Sequence, residues 1–223
     1  MNDQSHAHPA ELRMDAVGRV EGRQGRLLLL LVILLVNAVL LAASWAGHDI
    51  ALSKEHSALE FTQLVALLPA FVLFWLGWRH GHEAEKTASG ALAMLTVAMF
   101  VRELDVKTLG GPEWFRWLSH HGLQEILLVG MTLPILWYLA RRRHHWRGLM
   151  RLLFAPAAIP LFISGILLLV AVQFDREIAT NAHLRFWEEV IELNGYLFLT
   201  LSAWNHWSIV RRCLDGSQMG CPA

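Results

Sequence analysis

The chain has 223 residues, of which 55% are hydrophobic and 17% charged, with 19 Lys plus Arg balanced by 19 Asp plus Glu. A soluble domain carries about a quarter charged residues, and this chain is too apolar, too neutral and too poor in cysteine to be disordered, a nucleic-acid binder or a disulfide-stapled scaffold. What remains is an integral membrane protein.

A helix crossing a hydrocarbon core about 30 Å thick needs about 20 apolar residues. Residues 27–46, 61–78, 87–101, 123–140, 152–174 and 190–210 meet or approach that length. They predict an all-α integral membrane protein, a bundle of six transmembrane helices. The third run is closed early by Arg102, Glu103 and Asp105. Pro69, Pro134, Pro156 and Pro160 are tolerable inside a packed bundle. The first run is read as a retained helix rather than a signal peptide, because a polar leader with four arginines precedes it and no small-x-small cleavage site follows. The expected organisation is a flexible cytoplasmic leader (1–26), the six-helix domain (27–210) and a cytoplasmic tail (211–223).

Orientation follows from the basic residues. Thirteen Lys and Arg fall on the side of the leader and tail, with five arginines between residues 141 and 151, and six fall on the other side. The positive-inside rule then places both termini in the cytoplasm. Trp45, Trp114, Trp117 and Trp187 mark the outer interface; Trp75, Trp78, Trp137, Trp146, Trp204 and Trp207 mark the inner one. Cys213 and Cys221 fall in the tail and are expected to be reduced bystanders. The arginines of 141–151, with His144, His145 and Trp146, are expected to anchor the chain to anionic lipid.

The acids divide the opposite way, seven inside and twelve outside or at the outer boundary. Glu60, Glu103, Glu125 and Glu192 each lie 16 to 19 residues from the nearest inner basic residue. At 1.5 Å per residue that is about 24 to 28 Å, so four helices bring a carboxylate to one level near the outer edge of the hydrocarbon. Interfacial capping explains part of this, since Glu60, Glu125, Glu188 and Glu189 stand near the starts of inward-running helices. It does not explain Glu103 and Asp105 at a helix C-terminus, or Glu192 a full turn inside its helix. Arg102 can pair with Glu103, Asp105 or an acid on another helix, but one guanidinium cannot neutralise the whole set. Ionisable groups at membrane depth are functional candidates by default.

Spacing sharpens the set. His121 and Glu125 are four apart, Glu189 and Glu192 three apart, and Glu188, Glu192, Tyr196 and Thr200 follow one face. Glu103, Met99 and Thr96 align on the third helix, as do Glu60 and Gln63 on the second. Carboxylates and an imidazole projected inward from several helices are how bundles hold divalent metals. The expected ligands are Glu60, Glu103, His121, Glu125, Glu189 and Glu192, with Arg102, Asp105, Glu188 and Tyr196 contacting a lipid or small-molecule ligand at the outer face. A metal there would polarise an ester or phosphoryl oxygen of a lipid headgroup. The alternatives are a structural or partner-binding protein, in which the acids organise the bundle, and a proton- or cation-coupled transporter. Haem is not expected, since His80 and His206 lie at the inner boundary and His48, His56, His120, His121 and His183 at the outer one. Asn37, mid-span in the first helix, is expected to join helices rather than bind a ligand.

The segments Arg102-Glu103-Leu104-Asp105 and Glu188-Glu189-Val190-Ile191-Glu192 give the chain a resemblance. Over roughly residues 55 to 210 it resembles an uncharacterised family of small bacterial multi-spanning inner-membrane proteins. Members carry Arg-Glu-x-Asp in a middle helix and Glu-Glu-x-x-Glu at the opening of the last. The resemblance implies a bacterial inner membrane as the location and supplies no activity. The paired-histidine helix motif of membrane ceramidase-like hydrolases has no counterpart in the sequence.

Overall fold

A computed structural model describes residues 9–48, 58–103, 123–177 and 182–214. Among the described residues the regular structure is entirely helical: α1 (Pro9–Trp45), α2 (Ala58–His80), α3 (Glu83–Glu103), α4 (Leu123–Arg141), α5 (Trp146–Leu153), α6 (Ile159–Glu177) and α7 (Ala182–Leu214). Single tight turns at Arg143–His145 and Pro156–Ala158 flank α5.

Among the described residues, four stretches are long and apolar enough to cross a membrane: Arg23–Trp45, Leu59–His80, Glu83–Glu103 and Pro156–Phe174. They correspond to the first, second, third and fifth expected spans. The fourth and sixth expected spans are helical, as α4 and α7, but do not belong to these four. α7 has 33 residues, about 50 Å of helix. It is diluted by Glu188, Glu189, Glu192 and Asn194, which are polar for a reason given below.

Two boundaries and the state of one cysteine differ from the sequence expectations. The leader, expected to be flexible, is helical from Pro9. The fifth apolar run does not begin at residue 152: Leu152 and Leu153 close α5, and Pro156 opens the next helical turn. Proline lacks an N–H and cannot continue a preceding helix, but suits the first helical position. Cys213, expected as a free thiol, is disulfide-bonded.

α7 is the centre of the bundle. It packs against α2 and α6, and less extensively against α1, while α2 also packs on α3, and α3 supports α4 and α5. The α2 residues Gln63, Leu67, Ala70, Phe74 and Gly77 recur every three or four positions and are all buried. On α7, Phe186, Glu189, Leu193, Tyr196, Thr200 and Ala203 do the same. This is the seam spacing of left-handed helix pairs. The stripe holds glutamine, threonine, glutamate and tyrosine, whereas the outer faces carry leucines. On α1, Leu28, Leu31, Leu34 and Leu35 are all more than 60% exposed. Lipid tails solvate leucine as well as another helix does, so small and polar residues take the contacts between helices. At Gly77 an added Cβ would lie 2.5 Å from the Ser89 hydroxyl oxygen, so glycine there permits the close approach of α2 and α3. Asn37 meets Asn194 in a reciprocal amide pair (2.7 and 2.9 Å) that ties α1 to α7, the interhelical role expected of it.

Candidate functional site

The helices run antiparallel, so the C-terminus of α3 meets the first turns of α7 at the end of the bundle expected to face outward. There Arg102 is the hub. Its guanidinium pairs with Glu192 on α7 and with the adjacent Glu103, the latter at 3.0 Å. Glu103 also accepts from the Tyr196 hydroxyl (2.5 Å). The Glu103 and Glu192 side chains are 8% and 12% exposed, and that of Arg102 is 31% exposed. The two carboxylates are therefore shielded, and the guanidinium is partly exposed. Placing Glu103 at a helix C-terminus is unfavourable to the dipole, and Arg102 and Tyr196 offset that cost with charge-assisted bonds.

The second part of the network lies between α2 and α7. Gln63, fully buried, donates from Nε2 to the Glu189 carboxylate (2.8 Å) and to the Glu189 main-chain carbonyl (3.2 Å). Its own Oε1 is buried with no hydrogen-bond partner. Glu60, one turn before Gln63, reaches Arg185 at 3.8 Å. Glu60, Glu103 and Glu192 all lie within electrostatic reach of Glu189. Among the described residues, Arg102 pairs with Glu103 and Glu192 and Arg185 with Glu60, and Glu189 is held by a neutral amide. An orphaned buried acceptor costs about 1–3 kcal/mol.

Below the network, the Thr200 hydroxyl donates to the Ala66 carbonyl (2.8 Å), in the turn preceding Pro69. Main-chain groups near an intramembrane proline are commonly held by such side chains. Thr96, on α3, satisfies itself on the Leu92 carbonyl. At the opposite end of the bundle, His206 Nε2 and the Ser89 hydroxyl are 2.6 Å apart, with Ser89 fully buried. The 14 residues between Ser89 and Glu103 correspond to about 21 Å of helix.

The structure brings together Arg102, Glu103, Glu192 and Tyr196 directly, and places Glu60 and Glu189 beside them with Arg185 and Gln63 as partners. Among the described residues, no group of three or more His, Cys, Asp or Glu is arranged to hold a metal ion. Arg102 occupies the space between Glu103 and Glu192 that direct ligation by both would require. Asp105, His121 and the side chain of Glu125 lie outside the described residues. Glu188 is half-buried on α7. Sequence reasoning missed Arg185, because the intervening distance along the chain hides its encounter with Glu60. It also missed the Ser89–His206 pair, having placed His206 only by depth. Gln63 was aligned with Glu60; its three- and four-residue spacing to Leu67 and Ala70 was the signal that it faces inward.

No family model, curated protein or solved structure matches the chain.

Proposed function

We propose that the protein is a multi-pass inner-membrane protein whose outer-boundary carboxylate network binds a divalent cation. The carrying observation is the Glu189–Gln63 pair: a buried carboxylate on a neutral amide whose own oxygen has no partner. The donors offered are carboxylate and amide oxygens, which suit a hard cation such as calcium, magnesium or manganese. Glu60 and Glu189 supply the nearest charge, and His121 and Glu125 are the proposed further ligands. Arg102 holds Glu103 and Glu192 in place, and a lipid phosphate on the cation is the proposed ligand class.

The proposed architecture is six spans, with α4 and α7 crossing alongside the four apolar helices and both termini in the cytoplasm. The basic excess supports this orientation, and the disulfide at Cys213 pulls against it, since reducing compartments disfavour such bonds. The charge asymmetry carries more weight, because it draws on every connection of the chain. A reporter fused after Ala223 that is active only on the cytoplasmic side decides the matter. The two segments on which the family resemblance rests meet through Arg102 and Glu192, which supports reading them as one functional unit.

A second reading, a purely structural network, is favoured by the fact that Arg102 already bridges two helices. Elemental analysis of the purified full chain separates the two. The cation reading predicts about one divalent ion per chain in the wild type and little in Glu189→Gln. Wild-type protein without bound or titratable metal supports the structural reading and overturns the first.

A further inference from the structure

The end of the bundle remote from the carboxylates contains a cavity of about 260 Å³, between α3, α5 and α7. Its walls include Ala88, Ala91 and Leu92 of α3, Leu149 and Leu153 of α5, and Ile209 of α7. Ser202 and His206 also reach it, but His206 is already joined to Ser89. The space exists because the facing positions are alanines. It lies just below the 300–1,000 Å³ usual for small-molecule sites, which suits part of a long apolar chain better than a whole ligand. Its walls offer no set of polar groups that would fix a soluble metabolite.

The chemistry of the mouth is set by α5. This eight-residue helix turns Trp146, Leu149, Met150 and Leu153 to the cavity, while Arg147 and Arg151 are exposed. An apolar wall and a basic face are thus carried by the same two turns, the pattern of a helix lying in the plane of a membrane interface. Arg141, the last residue of α4, and Arg143 in the connection after it are exposed, and residues 141–155 contain no acid. The nearby Glu83 pairs with His145 at 3.1 Å rather than with an arginine. An apolar cavity walled by the same short helix that carries exposed arginines is complementary to one class of molecule.

We propose that this cavity holds an acyl chain of an anionic phospholipid, with its phosphate on the arginines of α5. The site is separate from the carboxylate network and does not depend on a cation there. The lipid fastens α5 to the bundle and completes the packing that the alanines leave open.

The test uses the full chain reconstituted in bilayers of equimolar phosphatidylglycerol and phosphatidylcholine, extracted in mild detergent and examined by native mass spectrometry. The expected result is one retained phosphatidylglycerol per chain, in clear excess over phosphatidylcholine. Arg147→Gln and Arg151→Gln change exposed side chains and leave the fold intact. Each is expected to lower retention about fivefold, the value of one juxtamembrane charge. Ala91→Phe fills the cavity from α3 and Leu149→Trp from α5, so either abolishes retention, and the second serves if the first does not fold. Equal retention of the two lipids, or retention that survives a folded filling variant, overturns the proposal.

Discussion

At one end of α7, Glu189, Glu192 and Tyr196 engage Gln63, Arg102 and Glu103; at the other, His206 engages Ser89 and borders a cavity walled mainly by alanine and leucine. The first end concentrates formal charge on few partners and leaves a buried acceptor without a bond. The second holds the Ser89–His206 pair and the Glu83–His145 contact, also leaves Asn205 Oδ1 and Trp204 Nε1 buried without a bond, and carries its charge on the exposed arginines of α5. Both are joined by the same heptad-spaced seam of α2, α3 and α7. The difference teaches that the seam supplies stability, while each end is specialised by which polar groups the seam positions there.

The largest expected effect breaks the charged end. Arg102→Gln leaves Glu103 and Glu192 facing one another without a cation, and removal of one partner of a buried pair costs about 3–5 kcal/mol. Because Arg102 is partly exposed, the lower figure is expected, read as a fall in thermal unfolding midpoint in detergent. Adding Glu192→Gln to Arg102→Gln should recover part of that loss. Failure to recover any would show that Arg102 acts through packing rather than charge. At the other end, Ser89→Ala removes the Ser89 bond of His206, which keeps its contact with the Glu85 main chain, for about 1 kcal/mol. A Ser89→Ala effect as large as that of Arg102→Gln would erase the distinction between the ends. Asn37→Leu, between the two, is expected to cost only about 0.6 kcal/mol, the average for an interhelical bond in a membrane. That small loss would show that the middle of the seam depends on packing.

Much of the charged end was legible in the sequence, because depth along a membrane helix is a count of residues. Glu103 and Glu192 fall at matched depth, and Arg102 was the only nearby base on α3, so their meeting was foreseeable. The partners of Glu60 and Glu189 were not, since Arg185 and Gln63 are brought to them by helix rotation, which residue counts do not fix. The four apolar spans were legible from hydropathy alone. α7 was harder, because its polar residues face the seam and lower its mean hydropathy. The inner cavity was not legible at all. It arises because Pro156 ends one helix and starts another, so that α5 lies against α3 instead of joining the next span. The sequence treated those residues as a basic connection followed by an apolar run, and nothing in a linear pattern reports how such a segment folds back.

The central claim is that the outer network binds a divalent cation through Glu189. Thermal unfolding of the purified full chain, followed across a calcium titration and repeated with magnesium and manganese, tests it most directly. A ligand that binds only the folded state stabilises it by about 2.7 kcal/mol at one hundred times its Kd. The wild-type midpoint is predicted to rise with one of these cations, and that of Glu189→Gln, whose amide still reaches Gln63, to stay flat. A wild-type midpoint that responds to none of the three, or a Glu189→Gln midpoint that rises as far as the wild type's, would contradict the account.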